Sequence, residues 1–261
     1  MATEGLTRRF DQLLAVDHLD LTVARGAFYG LLGSNGAGKT TMIRMLTTLL
    51  PPTSGTARVS GFDVVRQPRE VRRRIGYVPQ LLSADAGLTG RENLMLSARL
   101  YAIPPLERRE RIEEALAFMG LAEFADSLVK TYSGGMIRRL EIAQSMLHRP
   151  AVLFLDEPTV GLDPRARHAV WDRLRELRER YGTSVLLTTH DMEEADALCD
   201  FITLLHRGRV AVSGAPDALK AAIGKDATMD DVFVAHTGGT MEETGSYREV
   251  ARTRITAHRL E

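Results

Sequence analysis

The sequence predicts an α/β domain with a mixed, largely parallel sheet, an antiparallel β edge and an inserted all-helical lobe. Three observations carry this. Short apolar strands alternate with helices on either side of a central stretch, over residues 28–78 and 151–212, and strand–helix–strand order implies parallel pairing. From about 83 to 150 the strand signals vanish and helical periodicity takes over. A glycine-rich turn at residues 33–38 joins an apolar strand directly to a helix.

The elements follow in order. Residues 6–33 alternate apolar runs at 19–23 and 28–32 with the turn signal Arg25-Gly26. A helix over 41–50 is stopped by Pro51-Pro52-Thr53-Ser54-Gly55, and a strand at 57–60 ends at Gly61. Residues 68–74 form a short charged helix and 75–78 a strand. The inserted lobe contains helices over 92–101, 107–119 and 135–147; in the second, Ile112, Leu116 and Met119 share a face while the intervening Glu and Arg residues are solvated. The strand pattern resumes at 151–155. A helix follows over 165–181, with Val170, Leu174, Leu177 and Tyr181 on one face, and then a strand at 184–188. Strands at 201–205 and 209–212 precede a helical tail over 216–235. The predicted division is a domain of residues 1–237, with its core at 1–82 and 151–213, the lobe at 83–150 and a helical extension at 214–237. Beyond it, 238–261 is a polar tail whose polarity argues against order. Its Arg248, Arg252, Arg254 and Arg259 read as a solvated terminus, with a membrane surface or a partner as the alternative. There is no internal repeat and no low-complexity tract.

With 261 residues, 44% of them hydrophobic, the chain can bury a substantial core. Lys and Arg balance Asp and Glu at 34 each, so no basic surplus exists for wrapping a polyanion, and nucleic acid is not an expected partner. The single Cys199 makes no internal disulfide, and nothing near the N-terminus reads as a secretion signal. A cytoplasmic location is the expectation. No apolar run approaches the roughly 20 residues that span a bilayer, so any link to a membrane comes through a partner.

Gly33-Ser34-Asn35-Gly36-Ala37-Gly38-Lys39-Thr40 has the spacing of a phosphate-cradling loop. Its glycines let backbone N–H groups turn toward phosphate oxygens, Lys39 reaches the terminal phosphates, and the Thr40 hydroxyl suits Mg²⁺. The helix opening at Thr41 turns its positive end to the same place. A glycine-rich surface turn is the plainer reading, and it does not explain the strand before or the helix after. Val152 to Leu155 then deliver Asp156 and Glu157 at a strand's C-terminal end, where ligands collect in open α/β sheets. Beside a phosphate loop, the first carboxylate suits Mg²⁺ and the second an attacking water.

Tyr132-Ser133-Gly134-Gly135-Met136 precedes a helix that Ser133 caps, and its two glycines leave the first N–H groups bare, which makes a second anion site. One nucleotide does not need two such sites on separate lobes. At this point residues 5–236 resemble the ATPase subunits of ATP-binding cassette (ABC) transporters, whose nucleotide-binding domain is a P-loop NTPase core carrying a helical lobe. The resemblance implies a head-to-tail dimer in which Ser133, Gly134 and Gly135 of one subunit close on the γ-phosphate held by Gly33 to Thr41 of the other. It implies that Phe10 stacks on adenine, the alternative being a core phenylalanine. Gln80 matches the residue that contacts Mg²⁺ and links core to lobe. Asp163 matches a loop crossing the dimer interface and is also a plain helix N-cap before Pro164. His190 matches the histidine that contacts the γ-phosphate. The implied site is thus Glu157, His190, Lys39 and Gln80 for catalysis and Thr40, Gln80 and Asp156 for metal.

Tyr132, Met136 and Gln144 depart from the commonest signature, which has leucine, glutamine and arginine there. The forms Tyr-Ser-Gly-Gly-Met, Asp156-Glu157-Pro158-Thr159-Val160-Gly161-Leu162-Asp163-Pro164 and Asp230-Asp231-Val232-Phe233 are similar to the daunorubicin-resistance exporter branch. The resemblance therefore implies an ATP- and Mg²⁺-dependent subunit that powers a separate membrane permease, held at the inner face of the cell membrane, and exports drugs, antibiotics or other hydrophobic compounds. Two alternatives fit less well. A soluble cassette ATPase acting on ribosomes or DNA usually carries two cassettes, long coiled coils or zinc insertions, and a phosphate-transferring kinase leaves Ser133-Gly134-Gly135 and His190 without a task.

Overall fold

The computed structural model describes residues 1–238, so the polar tail and its four arginines lie outside the described residues. Two sheets and a helical lobe make up the fold. Strands β1 (Ala2–Phe10), β2 (Leu13–Thr22), β4 (Ser54–Val59) and β5 (Phe62–Asp63) form an antiparallel sheet in the order β2-β1-β4-β5. Beneath it lies the central sheet, ordered β10-β9-β3-β8-β7-β6, from β3 (Phe28–Leu32), β6 (Ile75–Val78), β7 (Val152–Asp156), β8 (Ser184–Thr189), β9 (Phe201–His206) and β10 (Arg209–Gly214). All its neighbours pair in parallel except β9 with β10.

The inner strands β3, β7 and β8 are buried along their whole length because both faces are covered. Tyr29, Leu31, Phe154 and Leu186 pack on one side, against the antiparallel sheet and Met42, Ile43, Met45 and Leu46 of α1 (Lys39–Leu46). Their strand neighbours Phe28, Leu32, Leu153, Leu155, Val185 and Leu187 face the other helices, the alternation that the strand period of two requires. The lobe lies between β6 and β7, after the short α2 (Pro68–Arg72), and contains α3 (Gly90–Leu100), α4 (Pro105–Phe118) and α5 (Gly134–Met146) with two 3₁₀ turns. Thr89 and Glu92 start α3 with a reciprocal capping box. After β7 come α6 (Pro164–Tyr181), α7 (Met192–Leu198) behind β8, and α8 (Pro216–Ile223) and α9 (Met229–Thr237) beyond β10.

Several sequence expectations are adjusted. The first helix begins at Lys39, two residues earlier than its periodicity shows, because Gly38 turns left-handed at φ 104° and starts it. It ends at Leu46, since Thr48 at φ 65° breaks the helical backbone before the Pro51-Pro52 signal is reached. The helical tail is two helices separated at Gly224. The seven residues of α7 carry no sequence expectation at all.

Candidate active site

Four adjacent parallel strands, β3, β8, β7 and β6, end on one edge of the central sheet. Their C-terminal ends carry the phosphate loop, His190, Asp156 with Glu157, and Gln80 respectively. Residues separated by more than half the chain meet there because strand order, not sequence order, sets their neighbours. The cleft in front is about 520 Å³, and its lining includes Phe10, Ser34 to Thr41, Gln80, Glu157 and Arg207.

Gly38 could carry no side chain. A Cβ there would run into the Ala15 carbonyl, and its φ of 104° is a glycine conformation. No side chain caps α1, so the first N–H groups of the helix are left for an anion. Lys39 is buried and its ammonium donates to the carbonyls of Gly33 (2.8 Å) and Ser34 (3.2 Å) and pairs with Glu157 Oε1 at 3.1 Å. All three of its N–H bonds are therefore engaged.

Glu157 is the hub. Its Oε2 lies 3.2 Å from Gln80 Nε2 and 3.3 Å from His190 Nδ1, and its N–H is shared between the Thr188 carbonyl (3.1 Å) and hydroxyl (3.0 Å). The residue is 4% exposed and holds φ 49°, a left-handed conformation rare for a residue with a side chain. Burial pushes its carboxyl up, but the His190 hydrogen bond and the Lys39 charge more than offset this and hold it below the usual carboxylate range. Asp156 behaves oppositely. Burial lifts its carboxyl, the Thr188 and Thr40 hydrogen bonds only partly restrain it, and the Glu157 charge adds to the rise. Its Oδ1 accepts from Thr188 Oγ1 at 2.7 Å and Thr40 Oγ1 at 3.1 Å.

Phe10 is not a core residue. It lines the cleft at 39% exposure with the Arg8 guanidinium 4.4 Å from its ring centroid. Ser133, by contrast, lies outside the cleft lining. It caps α5 by accepting from Met136 N–H at 3.3 Å, and Ser133 and Gly134 are exposed. Gly135 faces α6, where a Cβ would approach Ala166 Cβ at 2.8 Å. Asp163 caps α6 by accepting from Ala166 N–H at 3.0 Å and is likewise exposed. The structure thus gathers Phe10, the phosphate loop, Gln80, Asp156, Glu157 and His190, and leaves Ser133, Gly134 and Asp163 on the surface. Gln144 bonds Ser97 Oγ at 3.1 Å, tying α5 to α3.

Two features were not seen in the sequence. Buried Arg138 on α5 donates to the carbonyls of Pro79 (2.7 Å) and Gln80 (2.8 Å) and pairs with Glu141 at 3.0 Å, while Glu141 accepts from Ser83. The helix that Ser133 caps is thereby fastened to the Gln80 segment. Two charges on an amphipathic helix carry no signal of this, since such charges are ordinarily solvated. Arg207 reaches the cleft from the β9–β10 turn, which is hooked to the phosphate loop by Gly208 N–H donating to the Ala37 carbonyl at 3.1 Å.

A phosphate loop heading a helix, with two carboxylates and a histidine facing it from neighbouring parallel strands, defines a P-loop ATPase. The family described as "ABC transporter" matches residues 16–160. The daunorubicin/doxorubicin resistance ATP-binding protein DrrA of Streptomyces peucetius is 51% identical over 224 residues, covering 86% of this chain and 68% of that protein. The Nod factor export ATP-binding protein I of Burkholderia thailandensis is 42% identical over 258 residues, covering 98% and 83%. The solved ATP-binding subunit of an ABC transporter superposes with TM-score 0.79 at 30% identity, over 90% of this chain and 98% of that one. A dimeric, post-hydrolysis cassette, MJ0796 with ADP and Pi, superposes with TM-score 0.74 at 27% identity, over 82% and 97%. The chain belongs to the ABC transporter family, as an ATP-binding and ATP-hydrolysing subunit. No helix among the described residues is long and apolar enough to cross a membrane.

Proposed function

We propose that this ATPase works as a head-to-tail pair of subunits that powers a separate permease exporting drugs, antibiotics or similar hydrophobic compounds. The observation that carries the dimer is the separation described above: Lys39 and Glu157 line the cleft, while Ser133 and Gly134 of the same chain lie exposed outside it. A second copy brings its Ser133 to the γ-phosphate. The cargo class rests on the likeness to DrrA, and a place at the cytoplasmic face of the membrane follows from a permease partner.

ATP binding is an exchange. Its phosphates take Lys39 from Glu157 and the loop carbonyls, and Phe10 stacks on the adenine. Glu157, released from Lys39 and kept ionised, takes a proton from the water that attacks the γ-phosphorus, and the bond to the leaving ADP oxygen breaks. His190 Nδ1 holds the Glu157 carboxylate in place, and its ring contacts the γ-phosphate. Thr40, Asp156 and Gln80 supply the oxygens for Mg²⁺, and Thr40 Oγ1 and Asp156 Oδ1, 3.1 Å apart, are donors suited to a hard cation. The ion, when bound, neutralises charge developing on the phosphates. Loss of the γ-phosphate removes the contacts that hold the pair closed.

Phosphate release from MgATP, measured against protein concentration, tests the pairing. Specific activity should fall as dilution separates the subunits. Specific activity constant down to dilutions where only monomer exists would overturn the proposal.

A further inference from the structure

Glu194, on α7, has no part in the mechanism above, yet it is 1% exposed. A single oxygen, Oε1, accepts from Thr159 Oγ1 at 2.7 Å and from Trp171 Nε1 at 3.0 Å. The indole can only donate, so the acid is the acceptor that these groups require. The bonds join three segments: Glu194 lies on α7, whose cap Asp191 directly follows His190, Thr159 is two residues past Glu157, and Trp171 lies in α6, which Asp163 caps. A second tie runs in parallel. The Glu194 N–H donates to Asp191 Oδ1 at 3.1 Å, and Asp191 Oδ2 accepts from Arg167 at 2.5 Å, one helical turn before Trp171. A buried carboxylate is costly unless it is fully bonded, and here the bonds converge on the two segments that must hold Glu157 and His190 3.3 Å apart.

We propose that Glu194 is a positioning residue for ATP hydrolysis: it locks the segment after Glu157 to the segment that follows His190, and so fixes the carboxylate and the imidazole relative to each other. The phosphate loop and Phe10 belong to other elements and make no bond to it, so nucleotide binding does not depend on Glu194. The inference rests on the roles proposed above for Glu157 and His190.

The test is steady-state hydrolysis together with ATP affinity and thermal midpoint for E194Q, T159V and W171F, with E157Q as control. T159V removes the tie to the Glu157 side, whereas W171F removes only the donor from α6. In T159V, kcat should fall on the order of 10- to 100-fold, the scale of a misplaced reacting group, with ATP affinity within about threefold of wild type, whereas E194Q, whose amide oxygen can still accept from both Thr159 and Trp171, should keep kcat within about threefold. W171F should lower the midpoint yet keep kcat within about threefold. Should E194Q fail to fold, T159V against W171F decides alone. Unchanged kcat in T159V, or a kcat loss that simply follows the midpoint across all variants including W171F, overturns the inference. Normal turnover in E157Q instead refutes the assigned base, which separates that failure from this one.

Discussion

Replacing Glu157 with Gln keeps the volume and one hydrogen-bond acceptor but removes the charge at the hub of the cleft. The lost base step is worth about 10²- to 10⁴-fold in rate, or about 3–5 kcal/mol at 1.36 kcal/mol per decade. Binding should move the other way. In the free protein Lys39 lies 3.1 Å from Glu157 Oε1 with all its N–H bonds engaged. At that distance, an effective dielectric of about 20 gives an attraction near 5 kcal/mol, most of it offset by the desolvation of two buried charges. The incoming phosphates must overcome what remains and then sit beside a carboxylate that repels them. Glutamine removes both obstacles, so ATP should bind about fivefold tighter, a gain on the order of 1 kcal/mol. The assay pairs phosphate release at saturating MgATP with titration of a fluorescent ATP analogue, and gel filtration should show dimer accumulating with ATP. Turnover within threefold of wild type would refute the base assignment, and weakened ATP binding would refute the exchange at Lys39.

Four further outcomes are expected. S133R and K39A should each be inactive alone, and mixing them should restore part of the activity, because the mixed pair holds one site with neither change; no recovery on mixing counts against sites shared between subunits. Phe10→Ala should weaken ATP by roughly 5- to 100-fold, the about 1–3 kcal/mol of a base stacked on an aromatic ring, while Phe10→Tyr should not, as read by nucleotide titration. Asp156→Asn should raise the thermal midpoint of the nucleotide-free protein at pH 7–8. The folded-state pKa of Asp156 is raised, so its ionised form costs stability above that pKa and the cost disappears as the acid takes its proton; the Asn advantage must therefore shrink toward pH 4, and an advantage that grows on acidification contradicts the sign. Arg138→Met should destabilise by about 3–5 kcal/mol in denaturant unfolding, because it strands the buried Glu141, and a loss below 1 kcal/mol would show that the pair is dispensable.

The strands were legible where burial is two-sided, as in 75–78 and 151–155, because an unbroken apolar run between turn signals needs no partner to be recognised. The N-terminal hairpin showed only fragments. Register shifts between Thr3 and Leu6, Leu6 and Arg8, and Arg8 and Arg9 break the alternation that a strand pattern relies on. Helix α7 was missed because seven residues are too few for a 3.6-residue period to emerge, although Asp191 capping it through Glu194 N–H was a usable start signal. The phosphate loop and the Asp156-Glu157 pair are local in sequence and could be read directly. That Gln80, His190 and Lys39 all converge on one carboxylate could not, since the convergence is made by strand order. Glu194 was invisible for the same reason, in a run of acids that looks solvated.

The left-handed backbone at Glu157 has a consequence for anyone who alters this protein. A residue with a side chain held at φ 49° stores on the order of 1–2 kcal/mol, and glycine there would relieve it only by stranding buried Lys39 3.1 Å away, a loss of about 3–5 kcal/mol. A library sorted for heat resistance alone would thus keep this carboxylate, because its hold on Lys39 outweighs the strain in its backbone. Here heat resistance and turnover are guarded by one side chain.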